Sequence, residues 1–220
     1  MTMCVIFVCK SRLPSEEELR SAWVRNSDGG GVAWWDGSKV RWKKGLMRLS
    51  DLLELLPQLK LPCIVHLRAA THGGVCPELT HPFLISTTRP YNLDLRGVLR
   101  KKECLLFHNG VENSAISYLV QLLALKNKRL DATHMSDSRA IALLVSMVGT
   151  VALSLFNSKF ALLNWEGDIE VRGHFYEENG LLVSSHYKWD YRQTYKGYGQ
   201  YGWGCGLVDG DEWLKRRLEL

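Results

Sequence analysis

The sequence predicts an α+β protein in which mostly antiparallel sheets and helices form separate layers. Three observations carry this. Short apolar, β-branched runs such as 5–8, 63–67 and 104–107 are divided by Gly, Pro and Asn turns. Two segments with helical periodicity, 113–126 and the stretch from about Asp137 to Met147, sit together in the middle of the chain. Strands resume after them, an order that suits sheets packed against helices rather than repeated βαβ units.

The elements follow in order. The run 4–9 is apolar up to Lys10 and reads as a buried strand. Ser15 with Glu18 three residues on has capping-box spacing, so a short helix runs to about Arg25. The turn 26–31 leads into a hairpin, 32–35 and 40–42, around Asp36-Gly37-Ser38. Ser50 is expected to cap a helix over 51–56 that Pro57 stops. A buried strand over 62–68 ends in the loop 69–77, and 84–87 is a further strand candidate. The strand 104–107 ends at His108-Asn109-Gly110. The first central helix shows its period through Ile116, Leu119, Val120 and Leu123. The apolar region 140–156 reads as a buried helix running into a strand, and 160–165, 169–175 and 181–185 complete the strands.

Composition bounds the function. The chain has 220 residues, 46% hydrophobic and 23% charged, enough for one domain with an ample core. A net charge of +5 is spread over short clusters such as 41–44, 100–102, 126–129 and 215–217, which suits a solvated face and not a nucleic-acid stripe. The six cysteines, at 4, 9, 63, 76, 104 and 205, show no Cys-x-x-Cys pair and no metal-ligand spacing. Cys9, Cys63 and Cys104 lie in apolar runs and are expected to be reduced core residues. Lys10 and Arg12 interrupt the N-terminal apolar stretch, against a signal peptide. The region 140–156 is marginal for a membrane span. The expectation is a cytoplasmic protein with no nucleic-acid or membrane partner.

Four segments place polar or Gly-rich residues at the end of a strand or the start of a helix, where side chains can converge on a pocket. They are Cys4, the run His66-Leu67-Arg68-Ala69-Ala70-Thr71-His72-Gly73, the triplet His108-Asn109-Gly110, and Ser136-Asp137-Ser138. Taken singly each has an ordinary reading: a core cysteine, a surface arginine, a turn, a helix cap. Together with Asn26-Ser27-Asp28-Gly29-Gly30-Gly31 running into Val32-Ala33-Trp34-Trp35, and in this order, they resemble the class II glutamine amidotransferase domain of the N-terminal-nucleophile (Ntn) hydrolases. The match spans residues 4 to 138. Its eight-residue run and its His-Asn-Gly triplet are the specific parts.

The resemblance implies a four-layer αββα sandwich over residues 4–190, followed by a Tyr/Gly-rich tail, 191–220. It also implies the chemistry. Cys4 is the nucleophile, with its own α-amine as base if it becomes the first residue. An α-amine titrates near ~7.7–8.0 and a free thiol near ~8.5, so the proton transfer is feasible without a histidine. Asn109 and the Gly110 N–H form the oxyanion hole; Arg68 takes the α-carboxylate and Asp137 the α-ammonium of glutamine. Thr71, His72 and Gly73 shape the loop over the substrate. No cofactor or metal is implied.

Two departures shape the expectation. Removing Met1 alone exposes Thr2, so a free Cys4 amine requires initiation at Met3, the favoured route, or excision of a short propeptide; a silent enzyme is the third alternative. The sequence after Asp137 holds no acceptor domain or phosphate loop, so ammonia would pass to a separate synthase. The substrate is glutamine or a γ-glutamyl amide within a larger metabolite, and a binding or regulatory module of the same fold is the alternative to catalysis. The tail reads either as a peripheral segment or as an aromatic docking surface.

Overall fold

The computed structural model describes residues 4–70, 74–130 and 133–187. The first strand, β1 (Val5–Cys9), is buried at all five positions, which requires an apolar layer on each face. Helix α1 (Glu16–Trp23) starts at Ser15, whose hydroxyl accepts from the Glu18 N–H while Glu18 returns to the Ser15 N–H. Strands β2 (Gly30–Trp35) and β3 (Val40–Leu46) form the expected hairpin, and Asp36 Oδ1 accepts the Ser38 and Lys39 N–H groups in its turn.

Helix α2 (Leu49–Leu55) corrects the sequence reading. Its cap is Arg48, in extended backbone, with Asp51 accepting the Arg48 N–H; Ser50 lies inside the first turn. The start shifts because Leu49 and Leu52 are both buried on one face. Strand β4 (Cys63–Leu67) follows, then the short β5 (Phe83–Ile85) and β6 (Arg96–Val98), and β7 (Cys104–Asn109), which extends through His108 and Asn109. Sequence reasoning missed β6, a three-residue edge strand whose Gly97 packs against the Trp42 ring.

Helices α3 (Ala115–Leu125) and α4 (Asp137–Val148) occupy the middle of the chain as expected. The α3 stripe is Ala115, Leu119 and Leu123, while Ile116 and Val120 face outward. The sequence reading placed those two in the buried stripe. Residues 150–155 form a 3₁₀ helix and not the expected strand, before β8 (Lys159–Asn164) and β9 (Ile169–Arg172). Gly173, at φ +84°, then ends β9, and a Cβ there would lie 2.7 Å from the Ser158 carbonyl oxygen. The chain crosses to the other sheet for β10 (Tyr176–Glu178) and β11 (Leu181–Val183).

Two antiparallel sheets result. The larger has the order β10-β11-β1-β4-β2-β3-β6, and the smaller β5-β7-β8-β9. Three apolar clusters stack between the layers. One joins α1 and α2 to the outer face of the larger sheet through Leu19, Trp23, Leu52, Phe7 and Val65. A second lies between the sheets, where Ile6, Val8 and Ile64 meet Leu105, Phe107 and Ala161. The third packs α3 and α4 on the smaller sheet through Leu119, Ile141, Leu144, Leu106 and Leu162. The order helix, sheet, sheet, helix is the four-layer sandwich. Each large side chain fully buried here contributes about 1.5–3 kcal/mol. Among the described residues no helix is long and apolar enough to cross a membrane. Cys9 and Cys63 are free, buried and opposite one another on β1 and β4; Cys104 is free and half-buried. The tail 191–220 lies outside the described residues.

Candidate active site

The pairing of β1 with β4 fixes the position of Cys4. Val5 faces Leu67, so the residue before Val5 meets the residues that follow β4. The Cys4 thiol accordingly sits 3.4 Å from the Ala69 nitrogen and 3.5 Å from the Ala69 carbonyl oxygen. It is half-buried, and burial pushes the thiol up to about 11, with the Ala69 backbone and the Arg68 cation pulling back. At that value the thiol is protonated at neutral pH.

Asp28 holds the Arg68 loop. The Asp28 N–H donates to the Arg68 carbonyl (3.0 Å), the Arg68 N–H donates to the Gly29 carbonyl (2.8 Å), and Asp28 Oδ2 accepts the Ala70 N–H (2.8 Å). The Asn-x-Asp-Gly-x-Gly segment is therefore a brace for this loop. Its glycines have a steric reason: a Cβ on Gly31 would lie 1.9 Å from the His81 carbonyl oxygen. Sequence reasoning quoted this segment without giving Asp28 a task. No local pattern signals it, because the Ala70 N–H that Asp28 accepts lies 42 residues away.

Strand β7 brings His108 and Asn109 up from the smaller sheet, and Gly110 follows at its end. A Cβ on Gly110 would fall 2.1 Å from Ser158 Oγ and 2.8 Å from Ser158 Cβ, so a side chain there requires Ser158 to move. Asn109 is 1% exposed, with its side-chain nitrogen 2.8 Å from both Ser184 Oγ and Ser185 Oγ; its oxygen is buried without a partner. The two ends of a side-chain amide are the same shape. Turned about its last torsion, the oxygen accepts from the two hydroxyls and the NH₂ takes the other side. That orientation moves the unpartnered end from the oxygen to the NH₂. Ser184 Oγ already accepts the Ile6 N–H at 2.8 Å, which frees its proton for Asn109.

Helix α4 supplies the fourth wall. Ser136 caps it by accepting the Arg139 N–H, and Asp137 follows at its first position, where an acid complements the helix dipole. Asp137 Oδ1 accepts the Ser138 N–H (2.7 Å), and Oδ2 accepts the Glu112 N–H (3.0 Å). Ser138 Oγ is also 2.8 Å from His108 Nδ1.

Cys4, Arg68, Gly110 and Asp137, expected to act together, line one cavity of about 20 Å³, with room for about one water molecule. Asn109, expected to act with them, does not line this cavity; its side chain lies against Ser184 and Ser185. Thr71, His72 and Gly73 lie outside the described residues. The cavity also has His81 and His108 in its wall, and sequence reasoning assigned neither a task. With His66 they form a buried cluster: the His66 and His81 rings are 4.0 Å apart, and His66 Nε2 is 3.1 Å from the His108 carbonyl oxygen. A carbonyl only accepts, so His66 carries its proton on Nε2. Burial holds His66 down to about 3 and His108 to about 4, and pushes His81 well below the usual range. All three are neutral at pH 7. A wider groove of about 770 Å³ lies between β3 and α2, bordered by Trp34, Arg41 and Lys43, but none of the expected site residues line it.

Comparison with protein-family profiles and with curated proteins finds no match. Among solved structures, the chain is similar to glutamine phosphoribosylpyrophosphate amidotransferase from B. subtilis, complexed with ADP and GMP. The TM-score is 0.55 at 20% identity, over 82% of this chain and 41% of that one. This chain thus corresponds to about two fifths of that protein's length. At this identity the likeness concerns the fold: the αββα sandwich described above is shared with that glutamine phosphoribosylpyrophosphate amidotransferase.

Proposed function

We propose that the chain is a cysteine-dependent amidohydrolase of the class II glutamine amidotransferase type, acting on the side-chain amide of glutamine. The observation that supports it most is the convergence of Cys4, Arg68, Gly110 and Asp137, from four separate segments, on one cavity. A thiol, a cation, a backbone N–H at a glycine and a carboxylate are the groups that hydrolysis of an amino-acid amide needs.

The reaction uses the chain freed of residues 1–3. The Cys4 α-amine accepts the thiol proton as sulfur attacks the amide carbon. Because burial disfavours the free thiolate, proton transfer accompanies C–S bond formation. The Gly110 N–H and the Asn109 NH₂ take the oxyanion that develops on the carbonyl oxygen. The Cys4 ammonium returns its proton to the departing nitrogen, ammonia leaves, and a γ-glutamyl thioester remains. Water, deprotonated by the same amine, releases glutamate and regenerates the thiol. Arg68 pairs with the α-carboxylate and Asp137 with the α-ammonium, so the reacting amide is held at a fixed distance from sulfur. Glutamine exceeds the present cavity, and binding opens the lining around it. In this reading the catalytic domain covers 4–190.

Glutamate and ammonia release from glutamine tests this, alongside the intact mass of the active protein. The active species begins at Cys4, Cys4→Ala abolishes release, and Asp137→Asn raises KM more than it lowers kcat. Turnover by protein that retains Met3 would sink the mechanism. Cleavage of γ-glutamyl amides but not of glutamine would move the substrate to a larger metabolite. Failure on both substrates with a Cys4 terminus would leave a binding module.

A further inference from the structure

Outside the Cys4 cavity, three side chains of metal-ligand type converge from two segments. Cys76 Sγ lies 3.7 Å from His134 Nδ1, and these two atoms and a carboxylate oxygen of Glu78 all fall within 4.8 Å of one another. No Cys-x-x-Cys or His-x₃-His spacing announces the set, because 58 residues separate Cys76 from His134.

The geometry suits a small tetrahedral cation. Zinc bonds of about 2.3 Å to sulfur and 2.0–2.1 Å to nitrogen put those two ligand atoms about 3.6 Å apart. The backbones carrying the ligands are anchored by groups that are not ligands. Lys44 Nζ donates to the Glu78 carbonyl at 2.9 Å, and the buried Arg139 donates to the His134 carbonyl at 3.1 Å. Leu79 packs in the core directly after Glu78. Cys76 and Glu78 are half-buried and His134 is exposed, which leaves a solvent side for entry and for a fourth ligand. A thiolate, an imidazole and a carboxylate together favour zinc over magnesium or calcium, which take oxygen ligands.

We propose that Cys76, Glu78 and His134 bind one zinc-class divalent cation, with water at the fourth position. The site lies next to the catalytic cavity in sequence and in space: Leu79 and Ser136, each within two residues of a ligand, line that cavity. A bound cation cross-links the segment leading to Leu79 with the segment entering α4. It therefore fixes the spacing of two cavity walls without touching the reacting atoms.

The test uses Zn²⁺ alone, titrated against a chromophoric chelator into the full chain carrying Cys4→Ala, so that the nucleophile adds no ligand. One Zn²⁺ per chain is expected. Cys76→Ser and His134→Ala should each weaken binding about 100-fold or more, beyond what loss of an outer partner does. Co²⁺ in place of Zn²⁺ should give a thiolate-to-metal charge-transfer band that Cys76→Ser removes. Failure of the Cys4→Ala chain to bind Zn²⁺, or binding unchanged by both substitutions, overturns the proposal. Thermal melts of each variant without metal separate lost ligation from misfolding.

Discussion

Asn109, next to Gly110 in the chain, and Ser184 join the two sheets, with 2.8 Å between the side-chain amide and the serine hydroxyl. Asn109 ends a strand of the smaller sheet, whereas Ser184 follows the last strand of the larger one. The same hydroxyl accepts the Ile6 N–H, two residues from Cys4. One buried oxygen therefore sets the proposed oxyanion donor against the strand that follows Cys4. Ser184→Ala should lower kcat for glutamine about 10-fold with KM within about 2-fold, since a slightly misplaced donor weakens the transition state more than the ground state. Steady-state kinetics check the split.

Asp28 should act on binding instead. Its carboxylate accepts the Ala70 N–H, and its backbone pairs with Arg68. Asp28→Ala removes one charge-assisted hydrogen bond, typically ~1.5–3 kcal/mol. The Arg68 loop loosens, so KM for glutamine should rise about 10-fold while kcat falls less. Equal loss in both parameters would place Asp28 in the chemistry.

Gly31 is predicted to tolerate nothing larger. Its Cβ would enter the His81 carbonyl, which is backbone and cannot swing away. Gly31→Ala should cost about 3 kcal/mol, a fall of about 10 °C in melting temperature for a chain of this size. A melt within 2 °C of wild type, an arbitrary tolerance of roughly half a kcal/mol, would contradict the close packing of β2 against the His81 segment.

Acid stability should depend on the histidine cluster. His66, His81 and His108 are held below their ordinary value in the fold by burial, and unfolded histidine titrates near ~6.5. Between those limits the unfolded chain binds more protons, so stability rises with pH. Their contribution is full above about 6.5 and is lost as pH falls toward 4, each group adding a slope approaching about 1.4 kcal/mol per pH unit. Urea midpoints measured from pH 7 to pH 4.5 should fall steeply, and His81→Gln should flatten the fall.

The central helices, most strands and the site motifs were legible in the sequence because their signals are local. Ser15 with Glu18, Ser136 before Asp137, and the alternation at the hairpin each act within a few residues. Errors arose where a distant partner decides. Burial of Leu49 moved the start of α2 to Arg48, and packing of Ala115, Leu119 and Leu123 rotated α3 so that Ile116 and Val120 face outward. The turn at Gly173 ended the expected strand 169–175 at Arg172, and the chain then formed β10 in the other sheet, which local pattern had not marked.

For the site, the residue types and their order could be read directly: Cys4, Arg68, Asn109-Gly110 and Asp137 each stand at an element's end. Their meeting could not, nor could the supporting roles of Asp28, His81, Ser138 and Ser184. Cys4 touches Ala69 across 65 positions, and Asn109 touches Ser184 across 75. Such contacts follow from strand register and from two sheets packing face to face, and no local pattern encodes the distance between them.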